Sequence, residues 1–192
     1  MRSGVYNRKT NETEIKTTVN LDIQEACKIN TGIGFFDHML ELFAFRAGIF
    51  VEIEAKGDLH IDNHHTVEDV GICLGKAVSE ALGDRIGIAR YGSTWIPMDE
   101  ALVHVVLDIS GRGQLVYNAA LPSHAINNFE TELVEEFFRA FAHNAGITLH
   151  VNMTYGRNTH HIIEAMFKAL GGVLAQAITI SSFSVASTKG VL

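Results

Sequence analysis

Two cysteines, two prolines and one tryptophan are all that the 192 residues hold of those types. Cys27 and Cys73 stand far apart with no CxxC spacing, which leaves no disulfide framework and no thiolate zinc site to expect. Lys/Arg-rich runs are missing and the formal charge is -7, so neither nucleic acid nor an anionic membrane surface is an expected partner. No stretch reaches the roughly 18 uncharged apolar residues of a membrane span, and the opening MRSGVYNRKTNETEIK has no apolar signal region. A reducing cytoplasm is the expected location. Low complexity is absent too: 47 % of residues are apolar and 19 % charged, enough for a full core and unlike a disordered chain.

Histidine is what the chain has in quantity, with ten. Four of them form adjacent pairs, in DNHHTVEDV (62–70) and NTHHIIEAM (158–166), so His-His-x-x-Glu is written twice. The repetition extends outward from these motifs. HHTVEDVGICLGKAVSEALG (64–83) aligns with HHIIEAMFKALGGVLAQAI (160–178), setting Leu74-Gly75 opposite Leu170-Gly171. FFDHMLELFAFRAGIFVEIEA (35–55) aligns with LVEEFFRAFAHNAGITLHVNM (133–153) through Phe43-Ala44/Phe141-Ala142 and Ala47-Gly48-Ile49/Ala145-Gly146-Ile147. The loop joining the two blocks is two residues shorter in the second copy.

Both copies predict the same order of elements. Residues 35–46 and 131–144 carry apolar positions at helical spacing and run into Ala-Gly, a C-terminal stop. Residues 49–55 and 147–153 alternate and are β-rich, so they read as strands. Residues 64–82 and 160–178 are apolar at i, i+3 and i+4 and read as long helices, with Asp62-Asn63 and Asn158-Thr159 where N-caps belong. One strand candidate, 12–23, precedes the first unit; two, 100–110 and 113–121, joined by the turn Ser110-Gly111-Arg112, precede the second. The expectation is an α+β fold, internally duplicated, with two similar halves (about 1–84 and 85–192) in one compact unit (1–192). Each half is strand(s)-helix-strand-helix, and a helical layer packs between β-sheets.

On a helix, residues four apart share a face, whereas neighbours point about 100° apart. His64 with Glu68 and His160 with Glu164 are therefore natural two-ligand clamps, and the adjacent His65 and His161 point toward a second ion. The alignment adds His38, which falls opposite Glu136 on the first helix of each unit. These eight groups provide four per ion. Imidazole and carboxylate together favour manganese or another first-row divalent ion. His60, His104, His124, His143 and His150 lack such a pattern and read as structural or surface residues.

GIGFFDHML, GDLHIDNHHTVEDVG, PMDEALVHVVLDISGR, RNTHHIIEAMFKA and STKGVL, taken together and in order, resemble the imidazoleglycerol-phosphate dehydratase family of histidine biosynthesis, from about residue 2 to the end. The resemblance implies a ribosomal protein S5 domain 2-like fold and trimers assembled into a 24-mer, with active sites between subunits. It implies two manganese ions per active site, one on His38, His65, His160 and Glu164, the other on His64, Glu68, His161 and position 136. The family often has His at position 136; this chain has Glu136, a competent ligand for a hard divalent ion. Leu42 and Arg46 also stand where the family often has Gln and His. The implied reaction removes water from a phosphorylated imidazole substrate, D-erythro-imidazoleglycerol phosphate, through a dimanganese-bound imidazolate and a diazafulvene-like intermediate, giving imidazole acetol phosphate. Glu12 matches the family's substrate-contacting glutamate, a candidate for acid/base work beside His65, Glu68 and Glu164. Arg90, Arg112, Lys168, Ser187 and Lys189 match its phosphate contacts, and Asp99 and Glu100 are candidate pocket residues.

Two other classes use similar residues. A dinuclear phosphatase would make a bridging hydroxide from the same ligands and would hydrolyse phosphate esters. A ferritin-like storage protein would place Glu-x-x-His on an all-helical bundle. This chain writes His-His-x-x-Glu and has clear strand segments, which sets it apart from the storage class.

Overall fold

The computed structural model describes residues 1–190 and Leu192. The first half runs β1 (Ser3–Lys9), β2 (Thr13–Asn20), β3 (Lys28–Asn30), α1 (Gly34–Ala47), β4 (Phe50–Gly57) and α2 (His64–Leu82). The second runs β5 (Tyr91–Met98), β6 (Ala101–Asp108), β7 (Gln114–Asn118), the short hairpin β8 (Ala125–Ile126) and β9 (Phe129–Glu130), then α3 (Leu133–Ala145), β10 (Thr148–Tyr155) and α4 (Thr159–Ile178). The two four-stranded sheets have the same order, β1-β2-β4-β3 and β5-β6-β10-β7. In each, the short third strand is parallel to its neighbour and the other pairings are antiparallel. The duplicated α+β architecture is thus present, with both long helices and both shorter ones between the sheets.

The repeat is more complete than its sequence suggests. Three strands precede α1 where the pattern predicts one over 12–23, and three main strands precede α3 where it predicts two. The missing members are β1, β3 and β5. In β1 and β5 the one buried position is a glycine, Gly4 and Gly92, so no apolar alternation marks them. Those glycines let helix backbone come close: a Cβ on Gly4 would collide with the Ala77 carbonyl of α2, and one on Gly92 with the Val173 carbonyl of α4. β6 and β7, joined through the predicted turn at 110–112, are not sheet neighbours, because β7 pairs with β10.

Helix boundaries follow their signals closely. Gly48 and Gly146 end α1 and α3 in the left-handed conformation, at φ 66° and 68°, the role that suits a residue without Cβ. Asn158 caps α4, its side-chain oxygen accepting from the His160 and His161 N–H groups. At α2 the work is divided: Asp62 accepts from the His64 N–H at 2.9 Å, while the Asn63 amide donates to the Asn128 carbonyl and to Glu130 Oε2. The start of α2 is thereby tied to the β8–β9 hairpin. α4 is long and apolar enough to cross a membrane by length and hydropathy, but 72 % of its apolar window is buried inside the fold. Its apolar character serves the core.

The helices pair across the halves, α2 with α3 and α4 with α1, and the two glycines matched in the sequence alignment make this possible. A Cβ on Gly75 would lie 2.7 Å from the Phe141 carbonyl oxygen of α3, and one on Gly171 would collide with the Phe43 carbonyl of α1. Phe36, Phe43, Phe137, Phe138, Phe141 and Phe167 fill the space beside these crossings, all essentially inaccessible to solvent. Neighbouring Gly172 is different, since its Cβ would meet nothing closer than Thr94 Cγ2 at 3.7 Å. Gly171→Ala is therefore expected to lower stability by about 1–3 kcal/mol through overpacking. Gly172→Ala should be neutral or stabilising by about 0.5–1 kcal/mol, the helix-interior advantage of Ala over Gly. Denaturant midpoints of the two variants check this; equal shifts in the same direction would refute the close-packed crossing.

Candidate active site

His38 comes from α1, and His160 with Glu164 from the first turns of α4, so the α1–α4 pairing brings residues of opposite halves together. One ligand atom from each of the three falls within 4.8 Å of the others, the one such group among the described residues. His160 Nε2 lies 3.1 Å from Glu164 Oε2, the i,i+4 clamp anticipated from the spacing. The Phe35 ring packs edge-on against His160 at 5.3 Å between centroids. Glu164 is buried, and burial would raise its pKa, but Lys168 Nζ at 2.6 Å and His160 hold it below the usual carboxylate value. Two imidazoles and an ionised carboxylate, with no thiolate among them, suit a first-row divalent cation.

The corresponding group on α2 and α3 is arranged differently. His64 and Glu68 are half-buried at the start of α2, and Glu136 is on the first turn of α3. Glu136 is engaged by Arg139 Nη1 at 2.5 Å, while Arg139 Nη2 holds Glu135 at 2.5 Å and feels the charge of Glu68. The cation beside this cluster thus comes from α3, whereas Lys168 comes from α4. Nothing in the His-His-x-x-Glu spacing pointed to Arg139; its i,i+3 and i,i+4 relation to Glu136 and Glu135 is the signal that could have.

The second imidazole of each pair turns to carboxylates of its own half. His65 Nδ1 donates to Asp58 Oδ2 at 3.0 Å, and its Nε2 lies 3.9 Å from Glu12 Oε1. His161 Nδ1 donates to Glu100 Oε2 at 2.7 Å, and its Nε2 lies 3.7 Å from Asp99 Oδ2. These hydrogen bonds raise the pKa of both rings. Glu100 is drawn down to about 2, first by His161 and then by the backbone N–H groups of Asn158 and Arg157. Asp58 has no place in the sequence reading, because it sits on a loop where periodicity has no meaning.

The β1–β2 turn that carries Glu12 is pinned to α2. Thr13 Oγ1 and Arg8 Nε both donate to Asp69, itself buried, and Glu12 is exposed at the tip. Arg90, Arg112, Ser187 and Lys189 line one open cleft of about 820 Å³, closed on one side by residues 185–189. Arg90 Nε and Nη2 donate to Asp108, and Nη1 donates to the Ala186 carbonyl at 2.7 Å. Lys168 does not line that cleft; it lies against Glu164 and Met98 Sδ. Of the remaining histidines, His104 stacks on Trp95 at 4.2 Å and contacts Ser93 Oγ.

Residues 31–174 match the family model described as imidazoleglycerol-phosphate dehydratase. The chain belongs to that family. A curated imidazoleglycerol-phosphate dehydratase of Acetivibrio thermocellus is 59 % identical over all of this chain and 99 % of its own length. One from Streptococcus sanguinis is 53 % identical over the whole of both. Among solved structures, the enzyme of Staphylococcus aureus aligns with a TM-score of 0.84 at 45 % identity, over 92 % of this chain and 99 % of its own. That of Pyrococcus furiosus, crystallised in complex with (S)-C348, aligns with a TM-score of 0.85 at 39 % identity, over 97 % and 99 %. As a member, the protein is a dehydratase of histidine biosynthesis, in a metal-dependent family acting on a small phosphorylated substrate.

The cluster on α1 and α4 makes a direct expectation. In metal-depleted protein titrated with Mn²⁺ by calorimetry, His160→Ala or Glu164→Gln should weaken binding by at least about 10–100-fold, the loss typical even of groups that only orient a ligand. Affinity untouched in both variants would remove these residues from any metal site.

Proposed function

We propose that the protein converts D-erythro-imidazoleglycerol phosphate to imidazole acetol phosphate and water, at a site holding two manganese ions. The observation that carries this reading is the convergence of His38, His160 and Glu164 from two packed helices. One ion would take these three with His65, the other His64, Glu68, His161 and Glu136. His65 stands outside that cluster in a single chain, which supports completion of the site by a neighbouring copy. Trimers assembled into a 24-mer, with active sites between subunits, are the assembly we propose. The cytoplasm is the proposed compartment, and the -7 charge supports a role without nucleic-acid or membrane partners.

The hydroxyl lost in this reaction sits on the carbon beside the imidazole and the proton on the next carbon, with no carbonyl to take up the electrons. Bound divalent ions would supply Lewis acidity at the substrate's ring nitrogens, so that the ring can serve as the electron source. The chain's own residues handle protons and position. Hydroxide is a poor leaving group, and an acid must meet the departing oxygen. Glu12, exposed at the turn tip beside His65, is the group for that task, and Glu68, Glu164 and His65 are the other candidates for proton traffic. The carbon-bound proton and the hydroxyl leave as one water, and the resulting enol tautomerises to the ketone. Arg90, Arg112, Ser187 and Lys189 would hold the phosphate through planar and point-charge donors, and Lys168, outside that cleft in one chain, would join them from a neighbouring copy.

Metal-depleted protein assayed with imidazoleglycerol phosphate should make imidazole acetol phosphate only after manganese is returned. Glu12→Gln should then lower kcat by about 10²–10⁴-fold, the usual worth of a positioned acid or base. Manganese-loaded, assembled protein that makes no product would sink the assignment.

A further inference from the structure

The register of the two sheets identifies a pair of carboxylates that the sequence alignment did not reach. Ile15 of β2 pairs with Ala55 of β4, and Val103 of β6 pairs with Met153 of β10, while Ala55 and Met153 are repeat counterparts. Val19 with Val51 and Leu107 with Leu149 give the same correspondence. Carried back along the strands, it makes Glu12 the counterpart of Glu100, each immediately preceding the inner strand of its hairpin. The two have different surroundings. Glu12 Oε1 stands off at 3.9 Å from His65 Nε2, with no hydrogen bond to its side chain among the described residues. Glu100 is fully engaged: Oε2 takes His161 Nδ1, and Oε1 takes the N–H groups of Arg157 and Asn158 at 3.1 and 2.7 Å.

The cause lies in the loop between strand and long helix. In the first half it is two residues longer and holds Asp58, which takes His65 Nδ1. In the second half the shorter loop brings Gly156 and Arg157 round instead, with no carboxylate, and the hairpin tip supplies one. A ring whose Nδ1–H is committed to a carboxylate presents an unprotonated Nε2, the tautomer a metal requires.

We propose that Asp58 and Glu100 are positioning residues that fix His65 and His161 as Nε2 ligands, and that Glu100 took this duty in the half whose loop lacks an aspartate, leaving its counterpart Glu12 free for chemistry. This rests on the two-ion reading above. In Glu100→Gln the amide oxygen can keep both backbone N–H groups, which turns the NH2 toward His161 Nδ1 and moves the ring proton to Nε2. Asp58→Asn does the same to His65.

The test is a Mn²⁺ titration of metal-depleted full-length protein, with free Mn²⁺ read by electron paramagnetic resonance. Glu100→Gln and Asp58→Asn should each weaken Mn²⁺ binding by about 10–100-fold. Glu12→Gln should bind Mn²⁺ as the unmodified protein does while losing turnover. Unaltered binding in Glu100→Gln, or a loss in Glu12→Gln as large as in Glu100→Gln, would overturn the division of roles. Should Glu100→Gln fail to fold, Asp58→Asn carries the same test in the other half, and tight binding there overturns the proposal. If the unmodified protein binds no Mn²⁺, the two-ion reading itself falls, a result distinct from either.

Discussion

The close approach of helix backbones at Gly75 and Gly171 is the constraint from which the rest of the architecture follows. A side chain at either position would push apart α2 and α3, or α1 and α4. Those crossings join the halves, and they also determine which ligand-type residues meet. The contact that seats Gly171 on Phe43–Ala47 carries His38 to His160 and Glu164 near the other end of the same helix pair. Packing density transmits position in this way: with fully buried phenylalanines on both sides of the crossing, there is no slack for the helices to slide.

Duplication gave two copies of each device, and the copies have since been put to different uses. The α1–α4 group is balanced by Lys168 on α4, whose counterpart on α2 is Ile72; the α2–α3 group is balanced by Arg139 on α3, whose counterpart on α1 is Glu41. Each cluster of acids and imidazoles therefore has one cation, recruited from a different helix in each half. For Glu164 that is a physical requirement, because a buried carboxylate costs several kcal/mol without a partner; Glu136 is part-exposed and has no such need.

The legible parts of this fold were those where burial acts through periodicity. The four helices carry apolar residues at helical spacing, and the His160–Glu164 pair, at i and i+4, states its own geometry. β1 and β5 escaped because their single buried position is glycine, so the close contact that holds them erased the alternation that would have announced them. Asp58 and Glu100 escaped as partners for another reason. Hydrogen bonds between a loop or hairpin tip and a helix depend on where tertiary structure puts the ends, and no spacing in the chain encodes that. Glu12 and Glu100 show the intermediate case, since their equivalence is present in the sequence but becomes visible only through strand register.

The cleft lined by Arg90 shows how such tertiary bonds divide the donors and charge of a candidate site. Of the five N–H donors on its guanidinium, two go to Asp108 and one to the Ala186 carbonyl, leaving two for a ligand. Asp108 also cancels most of its charge. The positive potential of the cleft therefore comes from Arg112 and Lys189, both exposed, while Arg90 contributes geometry: it holds residue 186, and with it the segment bearing Ser187 and Lys189, against β6. Removing the Arg90 side chain would take away two donors and release the backbone that positions the others, so it should disturb the cleft more than losing a single charge at Arg112 would. Arg90, one of five candidate phosphate contacts in the sequence, is in the fold first a clamp on the wall of the cleft.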